Sequence, residues 1–282
     1  MNKLSLEQRT AVVKALIEGN SIRATVRMTG AAKNTVVKLL SDLGEACYRY
    51  QLQTLRRLDI RRVQVDEIWS YCYAKAANVP AERKGEFGVG DVWTYVALDP
   101  QTKLVACYHI GRRSTADATI FLQDLAARLK NRVQLTTDGF SPYITAVANT
   151  FGENVDFAQL VKMYAPEGGR TPERRYSPAV CTGAKPTPIV GNPDPKHIST
   201  SFVERQNLTM RMHMRRFTRL TNGFSKKIEN LAAAVALHFM WYNFGRVHQT
   251  HGFTPAFAAG LSDHRWTVEE IVGLLDSQRD SN

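Results

Sequence analysis

The chain has 282 residues, 44% of them hydrophobic, and its 37 Lys and Arg against 26 Asp and Glu give a formal charge of +11. That is enough apolar residue to fill a full core with room for a small second domain, which excludes a disordered tail or a disulfide-framed miniature. The basic residues recur from Lys3 to Arg265, so the charge is not a tail's and points to a polyanion, with nucleic acid ahead of a membrane surface.

In "LSLEQRTAVVKALIEG", Val12, Val13, Leu16 and Ile17 fall at helical spacing, Ser5 offers an N-cap and Gly19 a stop, so a helix is expected over 6–18. Ser21 can cap a second, short helix that ends in a turn at Thr29 and Gly30, and 31–43 returns to helical period. Two helices about a tight glycine turn predict a helix-turn-helix. Its second helix would expose Lys33, Asn34, Thr35 and Lys38 to a major groove while Val36, Val37, Leu39 and Leu40 pack inward. A helical hairpin used for dimerisation has the same pattern. Residues 47–60 read as a basic linker, with partial helix over 48–62 left open, after a helix-turn-helix domain over 1–46.

The rhythm changes at Arg61. "RRVQVDEIWSYCY", "GDVWTYVALDPQTKLVACYHIG" and "RVQLTTDG" alternate apolar residues among Val, Tyr, Trp and Thr, with a hairpin turn at 99–102. Three antiparallel strands, a helix over 114–130 with Ile120, Phe121, Leu125 and Leu129 on its inner side, and a fourth strand over 133–137 follow. A helix over 142–150 and a fifth strand over 155–163 complete an α/β domain with a mixed five-stranded sheet. The Pro- and Gly-rich stretch 164–199 reads as an inserted loop, and 228–244 as a buried helix. A C-terminal segment over 246–282 carries a short helix near 267–276.

Asp66 interrupts the first strand, and Asp138 stands at the carboxyl tip of the fourth, where open α/β sheets place ligand sites. If those strands are neighbours, two carboxylates converge, and a like-charged pair calls for a cation. Singly, an edge-strand surface position for Asp66 and an Asp-Gly turn for Asp138 explain them as well. Glu204 adds weight. On a helix starting near Ser199 and Thr200, positions 204, 207 or 208, 211 and 215 share a face, which reads Glu, Asn or Leu, Arg, Arg. Arg205, Arg211, Arg215, Arg216, Arg219, Lys226 and Lys227 surround this one acid, a basic excess that expects phosphate. Glu67, next to Asp66 on a strand, points to the opposite face and suits a supporting or surface role. His248 and His251 have ligand spacing but no cysteine or carboxylate cluster beside them, so zinc is not expected.

"VDEIWS", "TTDGFSPY", "SFVERQN" and "WYNFGRVHQTHGFTPA", in this order over residues 60–260, resemble insertion-sequence transposases of the DDE superfamily, most closely the insertion-sequence-one-like group. The resemblance implies a ribonuclease H-like catalytic domain over 61–245 and a metal-binding catalytic triad of Asp66, Asp138 and Glu204. It implies two Mg²⁺ ions, replaceable by Mn²⁺, with Asp66 bridging them, for cleavage at transposon ends and transfer of the 3′-hydroxyl into target DNA. Asn207, Arg205, Arg211, Arg215 and Arg216 would follow the DNA, and Asn243, Arg246 and His248 would lie near the site or the DNA. The partners implied are double-stranded DNA and further copies of the chain, in the cytoplasm of a bacterial or archaeal cell, nucleoid-associated. The chain departs from many relatives in one respect, since no cysteine precedes residue 47 and a zinc finger ahead of the helix-turn-helix is missing. A DNA-binding regulator that has lost the chemistry, and another ribonuclease H-like nuclease, are the competing expectations.

The four scattered cysteines form no C-x-x-C pair and read as reduced thiols. "MNKLSLEQRT" lacks an apolar signal core, and "LAAAVALHFMWY" is too short to span a bilayer, so a soluble, unprocessed protein is expected.

Overall fold

Ser5 opens the first helix by reciprocal capping: its hydroxyl accepts the Gln8 amide at 3.2 Å, and the Gln8 side chain accepts the Ser5 amide at 3.0 Å. In the computed structural model, which describes residues 4–164, 181–218 and 222–277, this helix is α1 (Leu6–Ile17). α2 (Ile22–Thr29) starts on Ser21, whose hydroxyl accepts the Ala24 amide, and ends at Gly30. α3 (Lys33–Thr54) does not stop near residue 43; it continues through the first half of the stretch expected to be a linker. The cause is tertiary, because Leu39, Leu40, Leu43 and Cys47 form one buried side that packs along α7 (Ile228–Met240). Gly44 marks the closest approach: a Cβ there would lie 2.4 Å from the Cα of Ala233. The three N-terminal helices therefore share one hydrophobic core with the rest of the chain.

The sheet has six strands: β1 (Arg62–Cys72), β2 (Gly90–Leu98), β3 (Val105–Gly111), β4 (Gln134–Asp138), β5 (Asp156–Tyr164) and β6 (Cys181–Val190). Their spatial order is β3-β2-β1-β4-β5-β6, with β4 parallel to both β1 and β5 and the remaining pairs antiparallel. The fold is a mixed α/β sheet with flanking helices, and the expectation of five strands is corrected to six. The added strand lies inside the stretch expected to be an inserted loop. Its Pro186 and Pro188, opposite Leu160 and Ala158, are tolerated because β6 is the outermost strand and its free edge needs no donor. Residues 165–180 of that expected loop, and Arg219, lie outside the described residues.

Period-two alternation covers both faces. On β3, the Cys107 thiol lies 3.0 Å from the Asp124 carboxylate on α4 (Thr115–Arg128), while the Tyr108 ring packs on Phe239 of α7. α4 and α5 (Pro142–Phe151) cover the first face and bury Phe121, Leu122, Leu125, Tyr143 and Val147. Each such side chain contributes about 1.5–3 kcal/mol of transfer free energy. Ile120, expected inside, is exposed; Arg128 lies inside instead, paired with Asp124 at 2.8 Å. α6 (Ser201–His213) crosses the second face over β1 and β2.

α8 (Pro255–Ala258) and α9 (Val268–Ser277) follow, and α9 packs on α1 and α3 with Arg9–Asp276 and Lys14–Glu269 ion pairs at 3.0 and 2.9 Å. All four cysteines are free, and Cys181 alone among them is exposed. No helix among the described residues is long and apolar enough to cross a membrane.

Candidate active site

β1 and β4 run side by side and parallel, and their last paired residues are Val65 and Thr137. Asp66 and Asp138 come next, so the two aspartates meet where β4 ends and β1 continues. Asp138 is fixed by the turn that follows: its Oδ1 accepts the Phe140 amide at 3.0 Å, and the Gln159 side chain on β5 donates to the carbonyls of Asp138 and Phe140 at 2.9 and 3.2 Å. This is the carboxyl edge of parallel strands, where open α/β sheets form ligand crevices.

Glu67 does point away from the Asp66 face, toward α5, but it is buried and not at the surface. Its carboxylate receives the Arg113 guanidinium at 2.6 Å and the Tyr143 hydroxyl at 3.0 Å. Arg113 in turn sits over the Trp93 and Phe140 rings, 4.9 and 4.1 Å from their centroids, and reaches within 3.9 Å of Asp138. One carboxylate oxygen each from Asp66, Glu67 and Asp138 lies within 4.8 Å of the others. Glu204 is not in that group.

Three like charges so close are electrostatically costly, and the protonation equilibria show it. Burial, reinforced by the charges of Glu67 and Asp138, pushes Asp66 up to about 7, against the pull of the Asn207 hydrogen bond. Burial also raises Asp138 above the ordinary carboxylate range, opposed by the Phe140 amide and Arg113. Glu67 is raised by burial and by Asp138, opposed by Arg113 and Tyr143.

Glu204 is delivered by α6 from the other side of the strand pair. The N-cap Thr200 makes no side-chain cap; Gln64 of β1 takes over that task, its Oε1 accepting the Phe202 and Val203 amides at 2.9 and 3.2 Å. One turn further on, buried Asn207 donates to Asp66 at 2.8 Å, so α6 touches the cluster through an amide first. Glu204 itself accepts from the Thr200 hydroxyl and pairs with Lys162 of β5 at 2.6 Å. The Lys162 ammonium also acts electrostatically on Asp66 and Asp138, so a lysine couples the glutamate to the two aspartates.

The other expected residues are dispersed. Asn207, expected on DNA, is committed to Asp66. α6 ends at His213, and Met214 leaves the helical conformation, so Arg215 is not on the Glu204 face. Arg205 and Arg215 are exposed and Arg211 is half-buried, whereas Arg216 turns inward and donates to the Ser225 hydroxyl at 2.8 Å. Lys33, Asn34 and Lys38 are exposed as expected, but Lys38 pairs with Asp42 at 2.8 Å and Thr35 is half-buried. Asn243 is fully buried and bonds both backbone groups of Val105, each at 3.0 Å, which ties the turn after α7 to β3. Arg246 bonds His213, and His248 packs against His251 with ring centroids 5.2 Å apart. No hydrogen bond or ion pair among the described residues joins Asn243, Arg246 or His248 to Asp66, Asp138 or Glu204. Arg113, Lys162, Gln64 and Tyr143 have no signal in the sequence, since each is brought in from a separate element.

Asp66, Glu67 and Asp138 offer an oxygen-only donor set, with Arg113 and Lys162 as the organic cations at hand. A carboxyl pushed up to about 7 by burial and by its neighbouring carboxylates fits a hard divalent ion such as Mg²⁺ or Mn²⁺.

No family model matches the sequence, and no curated protein does. Among solved structures, the chain is similar to one described as "Crystal structure of the Mos1 Strand Transfer Complex", at 14% identity over 85% of this chain and 76% of that one. The TM-score is 0.24, too loose a superposition to carry fold or function.

Proposed function

We propose that the protein is a divalent-metal-dependent DNA transposase with a ribonuclease H-like core, cleaving at transposon ends and joining their 3′-hydroxyls to target DNA. The observation that carries this reading is the convergence of Asp66, Glu67 and Asp138 at the carboxyl edge of adjacent parallel strands, with Glu204 coupled to them through Lys162. When bound, a divalent ion supplies charge stabilisation at the scissile phosphate and a lowered pKa for the attacking water or hydroxyl. Asp66 and Asp138 are the residues that would hold it, with Glu204 the ligand for a second ion. Asn207 orients the Asp66 carboxylate, and the Phe140 amide orients that of Asp138. Glu67 acts behind them by fixing Arg113, whose partly exposed guanidinium can meet a phosphate oxygen. Two element ends must be held together, so the active form is an oligomer.

The Lys162–Glu204 pair favours a second reading, a DNA-binding regulator without turnover, because it satisfies the glutamate with no metal. Purified protein with duplexes taken from the DNA flanking its coding sequence, in Mg²⁺ and then Mn²⁺, separates the two. The transposase reading expects nicked and joined products, reduced about a hundredfold or more by Asp66→Asn and Asp138→Asn with DNA binding kept. Wild-type nicking by Asp138→Asn overturns the assignment. Binding without nicking by the wild type in either metal transfers the conclusion to the regulator.

A further inference from the structure

Away from the acidic cluster, α2 and the start of α3 face residues 214–216 and 222–227, between α6 and α7, across a groove of about 690 Å³. Arg23, Lys33, Arg215, Arg216, Lys226 and Lys227 line it, and no Asp or Glu among the described residues does. Arg23, Lys33, Lys226 and Lys227 are exposed, and none makes an ion pair among the described residues. Arg216 is half-buried with the Ser225 hydroxyl as a hydrogen-bond partner and no ion pair among the described residues, and burial holds its guanidinium below the usual arginine range. A partly desolvated cation of this kind calls for an anion.

The backbone of the groove has the same polarity. α3 and α7 both begin beside it, at Lys33 and Ile228, and neither Ala32 nor Lys227 provides a side-chain cap to its helix. His238, more than nine-tenths buried, lies in the lining with its Nε2 without a hydrogen-bond partner. The walls are tied to the rest of the fold by close contacts. Gly19, with φ +80°, lets the α1–α2 turn approach the end of α6 so closely that a Cβ would lie 2.9 Å from the His213 carbonyl oxygen. On the other wall, Ser225 bridges to Cys72 at the end of β1 and Phe224 stacks on Tyr71. Since β1 also carries Asp66 six residues earlier, the groove lies about 20 Å along that strand from the acidic cluster.

We infer that this groove is a seat for the phosphodiester backbone of duplex DNA, built jointly by the N-terminal helices and residues 214–216 and 222–227 between α6 and α7. The inference rests on the reading of the protein as a DNA-acting enzyme and names where the backbone is gripped outside the acidic cluster. It also reassigns Lys33 and Asn34: both line the groove and contribute to backbone grip instead of base reading.

The test is binding of a labelled random-sequence duplex across a KCl series with no divalent ion, read by fluorescence anisotropy. Lys226→Gln with Lys227→Gln, and separately Arg23→Gln with Lys33→Gln, are compared with Lys130→Gln, a lysine outside the groove paired with Asp59. All five lysine and arginine positions have exposed or partly exposed side chains, and thermal melts check that each variant folds. The expected result is that each double variant lowers the slope of log K against log salt by about 0.9 per lost contact, while Lys130→Gln keeps the wild-type slope. Slopes equal to wild type in both double variants overturn the groove. If they do so while wild type still nicks DNA in Mg²⁺, the groove alone falls and the proposed function stands; if wild type binds no DNA at all, both fall.

Discussion

At the acidic cluster every carboxylate has a partner inside the protein: Asp66 takes Asn207, Glu67 takes Arg113 and Tyr143, Asp138 takes the Phe140 amide, and Glu204 takes Lys162. In the basic groove Arg23, Lys33, Lys226 and Lys227 have no carboxylate partner among the described residues. The difference tracks solvent. Charges withdrawn from water must be compensated locally, whereas exposed cations leave their counter-ions to the medium and release them when a polyanion docks. On the proposed function, the paired cations at the cluster would give way to a small hard ion, and the exposed cations of the groove would take a long anion.

The largest effect that sharpens this contrast is on stability against pH. Asp66 loses its proton near 3.8 when unfolded but near 7 in the folded protein, so between those values the native state binds more protons and stability falls as pH rises. Without metal at pH 8, Asp66→Asn should be more stable than wild type, by on the order of a few kcal/mol, and the gain should shrink toward pH 4. Calorimetric melts at both pH values check it, and equal stability at pH 8 would mean that Asp66 ionises without strain. Next comes Gly44→Ala, which forces α3 off α7 at a cost of about 1–3 kcal/mol. It should lower the melting point and weaken DNA binding while metal binding at the cluster is kept, and a loss of metal binding would show that the two regions are not separable. The smallest is Lys162→Met. Removing the ammonium that occupies Glu204 should tighten Mn²⁺ binding about tenfold, or about 1.4 kcal/mol, in a calorimetric titration without DNA. Unchanged or weaker binding would mean that Lys162 and the ion do not compete.

Much of this was legible in residues alone. Helix starts at Ser5 and Ser21, the strands around Asp66 and Asp138, and the Asp99 turn, whose carboxylate accepts the Gln101 and Thr102 amides at 2.9 and 3.1 Å, follow from local rules of capping and alternation. Local rules failed where a neighbour changed the terms. Prolines marked β6 as loop because nothing in 181–190 tells that its prolines face an open edge. Helical period was read to end at residue 43 because the polar residues beyond it do not reveal that α7 lies alongside. Asn207 looked like a DNA contact because its helix is basic, yet Asp66, 141 residues earlier, claims it.

By itself the sequence determined most of the elements, the excess of positive charge and the acids that stand in and at the tips of strands, since each depends on residues a few positions apart. Tertiary structure alone decided that β1 and β4 are neighbours, that Glu67 and Arg113 form the wall behind Asp138, that Lys162 holds Glu204, and that six cations from four segments face one groove. Those outcomes depend on which surfaces meet, and the free energy of burying a charge is set by the partner it meets there.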